Sequence, residues 1–405
     1  MADFLKKQKA HAAILCLFLL LLALPGALAA ARFVFERPST STLPTAKSWL
    51  AGTFQAGFSK GFGGGFPFRR QYILFCDQLY YWLFKKSYME NIVIGKQDWL
   101  YELDYIKDYC NLMPAMSADN ANNLAKEIAL VKSLFKKRGV AFLVLISPSK
   151  ASVYPEYIPD KFMQRRTGAQ RDYDIMTALF RQYGIDYVDG ARITRNAKMG
   201  ISLPLFCRGG THWNYLGASY TVRELVNEVG RLKGMRLANI SWDGIRVSSR
   251  PEDGDGSDRD LADGLNLAMP PYNYKVPYPD FKTVLPGGKI SRCSIAMVGD
   301  SFSHIVLVLL NLAHSFSSID FYYYYRRDLW TFPQDIARET EFRAQAIDHR
   351  TQTIDWDRDF FSKDAVLLEI NEAAFSSPYI KAFLDDAVKH LSTEAPSPLN
   401  HGHRP

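Results

Sequence analysis

Residues 294–312 read SIAMVGDSFSHIVLVLLNL, and this stretch decides the fold class because an apolar run typical of a strand meets one typical of a helix. Ser294–Val298 predicts a buried strand, and Ile305–Leu312 predicts a buried helix. The turn between them places Ser301 at the carboxyl end of the strand, where open α/β sheets carry their chemistry. Ser301 is therefore the candidate nucleophile. Gly-Asp-Ser also occurs in ordinary turns, where Asp or Ser caps the next helix, so the tripeptide alone is ambiguous.

A serine hydroxyl becomes a good nucleophile only when a base takes its proton. The best candidate base is His212, which lies in GGTHWNYLGA at residues 209–218. A histidine at a helix start can also be a hydrogen-bonded, partly buried side chain with no chemical role. The pair Ser301 and His212 carries more information than either residue alone.

Elsewhere the chain alternates between helical and strand-like patterns. Apolar spacing predicts helices at Ser117–Arg138, Ala169–Tyr183 and Leu216–Leu232, and strands at Val140–Ile146, Ile185–Val188, Ser294–Val298, Ser318–Tyr325 and Ala365–Ile370. Two short strands around a turn are predicted within residues 91–101, and residues 248–289 are predicted to be a loop. Strands that alternate with helices indicate an α/β fold with a mainly parallel sheet.

The amino terminus has the pattern of an export signal. Lys6, Lys7 and Lys9 precede an uncharged, leucine-rich segment at residues 12–31. Residues 1–31 are therefore predicted to be a signal peptide or a signal anchor, which directs the rest of the chain to the far side of the membrane. Residues 32–65 are predicted to be a flexible lead-in, residues 66–391 the functional domain, and residues 392–405 a disordered tail.

Composition narrows the possible functions. The 405 residues are 47% hydrophobic with a formal net charge of +7, so the chain can bury a large core but has no strong basic excess for nucleic acid. Four cysteines lie beyond the apolar segment and could form two disulfides in an oxidising compartment: Cys76, Cys110, Cys207 and Cys293. A bridge from Cys207 could brace His212. No zinc-ligand spacing or phosphate-binding glycine loop occurs, so no metal or cofactor is expected.

Seven separate stretches resemble the alginate O-acetyltransferase family, the AlgJ/AlgX group of exported SGNH-hydrolase-like proteins. They occur in the family's order and cover residues from about 66 to 391: FPFR (66–69), VIGKQDWLYE (93–102), PSKASVYPE (148–156), THWNYLGA (211–218), RDLADGL (259–265), GDSFS (299–303) and EINE (369–372). The ordered set is more specific than any one motif.

The resemblance implies an SGNH-hydrolase-like, flavodoxin-like α/β/α sandwich in which the histidine motif precedes the serine motif. It assigns the nucleophile to Ser301 and the base to His212. The family usually has an aspartate two residues before the histidine, where this chain has Gly210. Three outcomes are open: a carboxylate from elsewhere, such as the Asp253–Asp263 loop, replaces it; the site works as a Ser-His dyad; or the domain has lost its chemistry.

The resemblance further implies transfer of an acetyl group, through a serine acyl-enzyme, onto hydroxyls of an exported polysaccharide in the periplasm. The implied donor partner is a membrane-bound O-acyltransferase, and residues 12–31 would hold the chain at the inner membrane if they are not cleaved. Backbone N–H groups at the helix start after Ser301 are expected to bind the oxyanion, and Asn371 and Asp300 are candidates for substrate or oxyanion contacts. The alternatives are a carbohydrate acetylesterase and a catalytically impaired polysaccharide-binding or assembly subunit.

Overall fold

A computed structural model describes residues 23, 26–27, 45–57, 59, 69–249, 256–271, 274–287, 291–325, 328–332, 345–348 and 354–392. These residues divide into two compact units. The first consists of the chain up to Phe84 together with Asn266–Met269, and the second consists of Lys85–Leu265 and the chain from Pro270 onward. Within the described ranges, no helix combines the length and the apolar character needed to cross a bilayer.

The first unit includes the helices α1 (Ala46–Leu50) and α2 (Arg69–Phe84). The side chain of Thr45 caps α1 by accepting a hydrogen bond from the Ser48 N–H, so part of the predicted flexible lead-in is helical. Residues 266–269 bind α2 through two hydrogen bonds, from Asn266 to Asp77 and from the Met269 N–H to Gln78. Most of the predicted signal segment and nearly all of the predicted tail lie outside the described residues, so both stay predictions.

The second unit contains the other helices and strands whose bounds lie within the described residues. Its α-helices are α3 (Leu103–Tyr109), α4 (Ala118–Lys137), α5 (Lys150–Val153), α6 (Asp160–Met163), α7 (Asp172–Gln182), α8 (Gly190–Gly200), α9 (Tyr215–Lys233), α10 (Asp260–Gly264), α11 (Ser303–Leu312) and α12 (Pro378–Ser392). Its strands are β1 (Ile92–Ile94), β2 (Leu100–Glu102), β3 (Ala141–Ser147), β4 (Tyr187–Asp189), β5 (Asn239–Ser248), β6 (Val276–Val284), β7 (Cys293–Gly299), β8 (Phe316–Tyr323), β9 (Asp328–Phe332), β10 (Gln345–Asp348) and β11 (Ala365–Asn371).

The central sheet has seven strands in the order β10-β9-β8-β7-β11-β3-β4. The five strands from β8 to β4 are mutually parallel, and β9 and β10 extend the sheet in antiparallel pairing. Every residue of β11 is buried, as expected for a central strand covered on both faces. The mainly parallel α/β fold predicted from the sequence is confirmed.

Alternate residues of the strands face two separate apolar cores. Leu143 and Leu145 of β3 pack in the core that contains α9 and α11. Phe142, Val144 and Ile146 pack on the other face with α4, α7 and α12. The second unit is therefore a three-layer α/β/α sandwich, in which the carboxyl ends of β3, β7, β8 and β11 meet at one edge of the sheet.

The structure differs from the sequence predictions at several places, among them the predicted loop 248–289 and the end of β8. Within the predicted loop 248–289, residues 276–284 form β6, which pairs with β5 as a two-stranded antiparallel sheet. Pro277 and Pro279 obscure this strand in the sequence, yet each strand of such a sheet has a free edge where a missing N–H costs little. Strand β8 ends at Tyr323 rather than Tyr325, because Tyr324 and Tyr325 have left-handed φ angles of 45° and 64° that turn the chain toward β9.

Candidate active site

The turn after β7 holds Ser301 between two anchored neighbours. The N–H of Asp300 donates to Glu369 Oε2 at 2.9 Å, and the N–H of Phe302 donates to Asp300 Oδ1 at 2.8 Å. A Cβ at Gly299 would collide with Ser303 Oγ and would lie 2.7 Å from Glu369 Oε2, so only glycine fits there. Ser301 itself is partly exposed, so its hydroxyl is accessible from the edge of the sheet.

The THWN motif explains how His212 reaches this turn from 89 residues earlier in the chain. Trp213 is fully buried, and its Nε1–H donates to the carbonyl of Phe302 at 3.1 Å. Asn214 caps α9 by accepting the Gly217 N–H at 2.9 Å. These contacts bring His212 Nε2 to 2.9 Å from Ser301 Oγ. The structure therefore brings together the two residues that the sequence singled out.

Asp260, in the first turn of α10, occupies the other side of the imidazole. Its Oδ2 lies 3.2 Å from His212 Nδ1, within ion-pair distance, although the Nδ1–H is not aligned as a hydrogen bond. Its Oδ1 accepts the N–H groups of Thr211 and Leu261, each at 2.8 Å, so the carboxylate is held by the backbone on both sides. His212 thus lies between Ser301 and Asp260, and Asp260 belongs to the Asp253–Asp263 segment.

Gly210 has no room for the aspartate that the family usually carries there. A Cβ at this position would collide with the carbonyl oxygen of Ser257 and would lie 2.8 Å from the carbonyl carbon of Asp258. The segment that leads into Asp260 therefore occupies the space that a side chain at position 210 would need. The missing side chain at Gly210 thus leaves room for the segment that brings Asp260 to His212.

Lys150 fixes the loop that precedes His212. Its ammonium group is fully buried and donates to the carbonyls of Cys207, Arg208 and Gly210 at 2.6, 2.9 and 2.7 Å. Burial lowers the pKa of Lys150 to about 7. The three acceptors match the three N–H donors of the charged form, so the contacts favour the ammonium despite the loss of water.

Glu102 places a second carboxyl group near the imidazole. It accepts the Thr211 hydroxyl at 2.9 Å, and burial raises its pKa. The charges of His212 and Asp260 act on it in opposite directions, since the former lowers and the latter raises the same pKa. Its contact is with Thr211, so Glu102 supports the His212 loop from the side opposite Lys150.

The predicted oxyanion donors are occupied. The N–H groups of Phe302, Ser303 and His304 all bind acceptors within the turn. Asn371 Nδ2 donates to Ser147 Oγ and to the carbonyl of Pro148, at 3.3 and 3.1 Å. Asp300 is buried and bound to Phe302. These N–H groups therefore hold the resting turn, and oxyanion or substrate contacts by the helix start, Asn371 and Asp300 stay predictions.

Sequence reasoning missed Tyr324, which reaches the nucleophile from the end of β8. Its phenol is hydrogen-bonded to the Ser301 side chain, and 37% of the residue is exposed. Burial of the phenol and the nearby Asp300 raise its pKa above the usual value. The run of four tyrosines predicted a strand with one buried face, and only the left-handed turn at Tyr324 directs this side chain to the site.

The four cysteines of the described residues are free thiols. Cys110, Cys207 and Cys293 are buried in apolar surroundings, where burial raises the pKa of each thiol. Cys207 lies 3.8 Å from Asn214 Nδ2 and has no bridging partner. Bracing of the His212 loop thus comes from Lys150 and not from a disulfide.

Comparison with known proteins shows the family of this chain. The family described as "SGNH hydrolase-like domain, acetyltransferase AlgX" matches residues 92–309, a range that includes His212, Asp260 and Ser301. The probable alginate O-acetylase AlgJ of Pseudomonas aeruginosa is 30% identical over 188 residues, which are 46% of this chain and 44% of that protein. The match thus spans less than half the length of this curated relative.

Two solved structures are also matched. The O-acetyltransferase domain of Pseudomonas putida AlgJ is 18% identical with a TM-score of 0.45, covering 73% of this chain and 99% of that domain. Pseudomonas aeruginosa AlgX is 14% identical with a TM-score of 0.44, covering 74% and 67%. Because the family match extends over more than half of the sequence, the chain belongs to the AlgX family of SGNH hydrolase-like acetyltransferases.

Proposed function

We propose that this protein is an O-acetyltransferase that carries acetyl on Ser301. The observation that supports this most directly is the 2.9 Å contact between His212 Nε2 and Ser301 Oγ, with Asp260 at 3.2 Å from Nδ1. This is the order of groups that serine acyl transfer requires: nucleophile, base, and a carboxylate that stabilises the imidazolium. The contact to Asp260 favours a working enzyme over a catalytically impaired subunit.

The reaction takes place in two steps that balance in protons. Ser301 Oγ attacks the acetyl carbonyl while His212 Nε2 takes the hydroxyl proton, and His212 then gives that proton to the leaving group. An acceptor hydroxyl next transfers its proton to His212 and attacks the acyl-enzyme. The new ester leaves, and the proton returns to Ser301 Oγ.

The developing oxyanion needs donors that the resting turn leaves available. Among the described residues, none accepts the N–H of Ser301 itself, and the Tyr324 hydroxyl already contacts the nucleophile. We assign these two groups to the oxyanion, because each can point at an oxygen bonded to the carbon that Ser301 attacks. The N–H groups of residues 302–304 maintain the turn instead.

The proposed acceptor is a hydroxyl group of an exported polysaccharide, and the support is family membership together with the name of the AlgJ relative. The purified exported chain is incubated with an aryl acetate and with uronic acid or neutral oligosaccharides. Acetylated sugar in the mass spectrum is expected. Release of acetate with no acetylated sugar would instead identify an acetylesterase.

The acyl-enzyme is tested with Ser301→Ala. The wild-type chain quenched in acid should gain the mass of one acetyl group on the peptide that contains Ser301, and the variant should neither gain it nor turn over the ester. Matched melting temperatures would show that the variant is folded. An acetylated peptide in Ser301→Ala would remove the serine from the mechanism.

We further propose that the chain acts in the periplasm and receives acetyl from a membrane-bound O-acyltransferase. Lys6, Lys7 and Lys9 before the apolar residues 12–31 support export. Cell fractionation with amino-terminal sequencing distinguishes a cleaved signal from an inner-membrane anchor, and recovery of the whole chain in the cytoplasm would contradict the proposal. The donor is tested by reconstitution, with acetyl-CoA and this chain on opposite sides of a membrane. Ser301 should then be acetylated only when the acyltransferase is present.

A further inference from the structure

Two carboxyl groups face each other directly beneath the nucleophile. Glu369, near the end of β11, is fully buried, and Asp300 is 6% exposed. The N–H of Asp300 donates to Glu369 Oε2 at 2.9 Å, so the two carboxyl groups belong to one buried cluster. Two carboxylates in such a cluster cannot both be charged without large cost, so one of them must hold a proton.

The neighbours of the pair show which carboxyl group holds that proton. Glu369 accepts at both oxygens: Ser147 Oγ donates to Oε1, while the Asp300 N–H and Ser303 Oγ donate to Oε2. Asp300 accepts only the Phe302 N–H, at Oδ1. Glu369 is therefore surrounded by donors, as a carboxylate requires, and the second oxygen of Asp300 is the one available to donate.

No compensating positive charge replaces the proton. The titratable groups that face the pair among the described residues are Glu102 from β2, Tyr105 from α3, Tyr324 after β8 and Tyr379 from α12. Glu102 is an acid whose charge disfavours a second negative charge on the pair, and the three phenols are neutral groups that supply no positive charge. Burial, with Glu369 alongside, raises the pKa of Asp300 well above its usual range. Two adjacent buried carboxyl groups cannot both ionise without large cost.

We propose that Asp300 and Glu369 share one proton, with Asp300 as the neutral acid and Glu369 as the carboxylate, and that this pair positions the turn that carries Ser301. The N–H groups of the two residues that flank the nucleophile, Asp300 and Phe302, end on the pair, one on each carboxyl group. Loss of the shared proton separates the carboxylates, loosens both anchors and moves Ser301 away from His212. Asp300 is thus a positioning residue that must stay protonated.

The decisive variant is Asp300→Asn, because its amide reproduces the protonated acid. The Asn oxygen accepts the Phe302 N–H, and the Asn N–H donates to Glu369 without being able to titrate. We expect Asp300→Asn to keep at least about 10-fold more kcat toward an aryl acetate at neutral pH than Asp300→Leu, since its hydrogen bonds hold the catalytic groups in register. In Asp300→Asn, the alkaline limb of the pH profile of activity should lie at higher pH than in the wild type. Asp300→Leu, which cannot hydrogen-bond, should lose about 10²-fold in kcat, as expected for misplacement of about 1 Å.

Two readouts do not depend on the proposed acetyl transfer. Infrared difference spectra between wild type and Asp300→Asn at mildly alkaline pH should show the C=O stretch of one protonated carboxyl group in the wild type. The raised pKa of Asp300 also means that the folded state binds this proton more tightly than the unfolded state. Its stabilising contribution is full below the unfolded pKa and is lost as pH rises through the folded pKa, so Asp300→Asn should gain stability relative to wild type as pH rises.

Three results would each overturn the proposal. A folded Asp300→Asn variant with activity as low as Asp300→Leu would mean that the ionised carboxylate is needed. An unchanged carboxyl band would place the proton elsewhere, and failure of Asp300→Asn to fold would contradict the hydrogen-bond assignment. If no variant or wild-type sample shows acetyl transfer but the band disappears in Asp300→Asn, the proposed function fails and the shared proton stands.

Discussion

The role of Asp260 gives the sharpest prediction from the structure. In Asp260→Asn, the amide oxygen keeps the hydrogen bonds from Thr211 and Leu261, but an NH₂ group replaces the oxygen that faces His212 Nδ1. The amide then donates to Nδ1 and shifts the imidazole proton to Nε2. A protonated neutral Nε2 cannot take the Ser301 proton, so the variant loses the productive tautomer along with the charge.

The size of the effect follows from the distance and the exposure. At 3.2 Å, Coulomb's law gives about 1 to 5 kcal/mol for effective dielectric constants between those of water and a protein surface. The Asp260 side chain is 35% exposed, which favours the lower part of this range, about 1 to 3 kcal/mol. We therefore expect kcat to fall about 10- to 10²-fold, less than the roughly 10⁴-fold loss in serine proteases with a buried aspartate.

The assay is steady-state turnover of an aryl acetate, with acetyl transfer to oligosaccharide measured in parallel. The matched control is Asp263→Asn, which changes a carboxylate on the same helix that pairs with Arg259 and not with His212. The control should keep wild-type activity. If Asp260→Asn keeps full activity while Ser301→Ala and His212→Ala are inactive, the site is a Ser-His dyad and the carboxylate argument is wrong.

Three further substitutions test the supports of the site. Gly210→Asp restores the residue usual in the family, but its Cβ collides with Ser257, so it should lower the free energy of unfolding by about 1 to 3 kcal/mol and should not rescue Asp260→Asn. The control is Gly256→Asp, at a glycine with open space around it. Rescue of Asp260→Asn by Gly210→Asp would contradict the packing argument. Lys150→Met removes the donor from three loop carbonyls, of which those of Cys207 and Arg208 keep one backbone N–H each and that of Gly210 is left unsatisfied. Urea unfolding should therefore show a loss of about 1 to 3 kcal/mol, whereas exposed Lys126→Met should stay close to wild type. If the Tyr324 phenol stabilises the oxyanion, Tyr324→Phe should lower kcat about 10- to 10²-fold with little change in KM. The control Tyr220→Phe, on α9, should leave kcat unchanged. A change confined to KM in Tyr324→Phe would make Tyr324 a binding residue.

The fold could be predicted from local patterns because the central strands have strong ones. Buried runs such as 294–298 and 365–370 are apolar throughout, and the helices between them keep a regular apolar stripe. Strands β9 and β10 and the hairpin of β5 and β6 were missed. Their residues alternate weakly, include prolines, or face solvent, so pairing and not local preference determines them.

The site could be predicted where a motif carries a visible constraint. Gly299 before Ser301, and Trp213 and Asn214 after His212, are residues whose packing and capping roles suit a fixed turn. Asp260 was expected only as one of several carboxylates in an acidic segment, because α10 is a single turn with no periodicity. Lys150 had no signal at all, since a lysine after a strand usually lies in solvent.

Strand order has a consequence for when the active site can form. The last strand in the sequence, β11, is inserted between β7 and β3, so the halves of the sheet that carry Ser301 and the loop of Lys150 meet only through residues 365–371. A growing chain shorter than about 371 residues lacks the strand that joins them. The two halves of the central sheet therefore stay unjoined until residues 365–371 have been made. Chains that end before residue 365 should bind no active-site serine probe, however much of the helical layer they form.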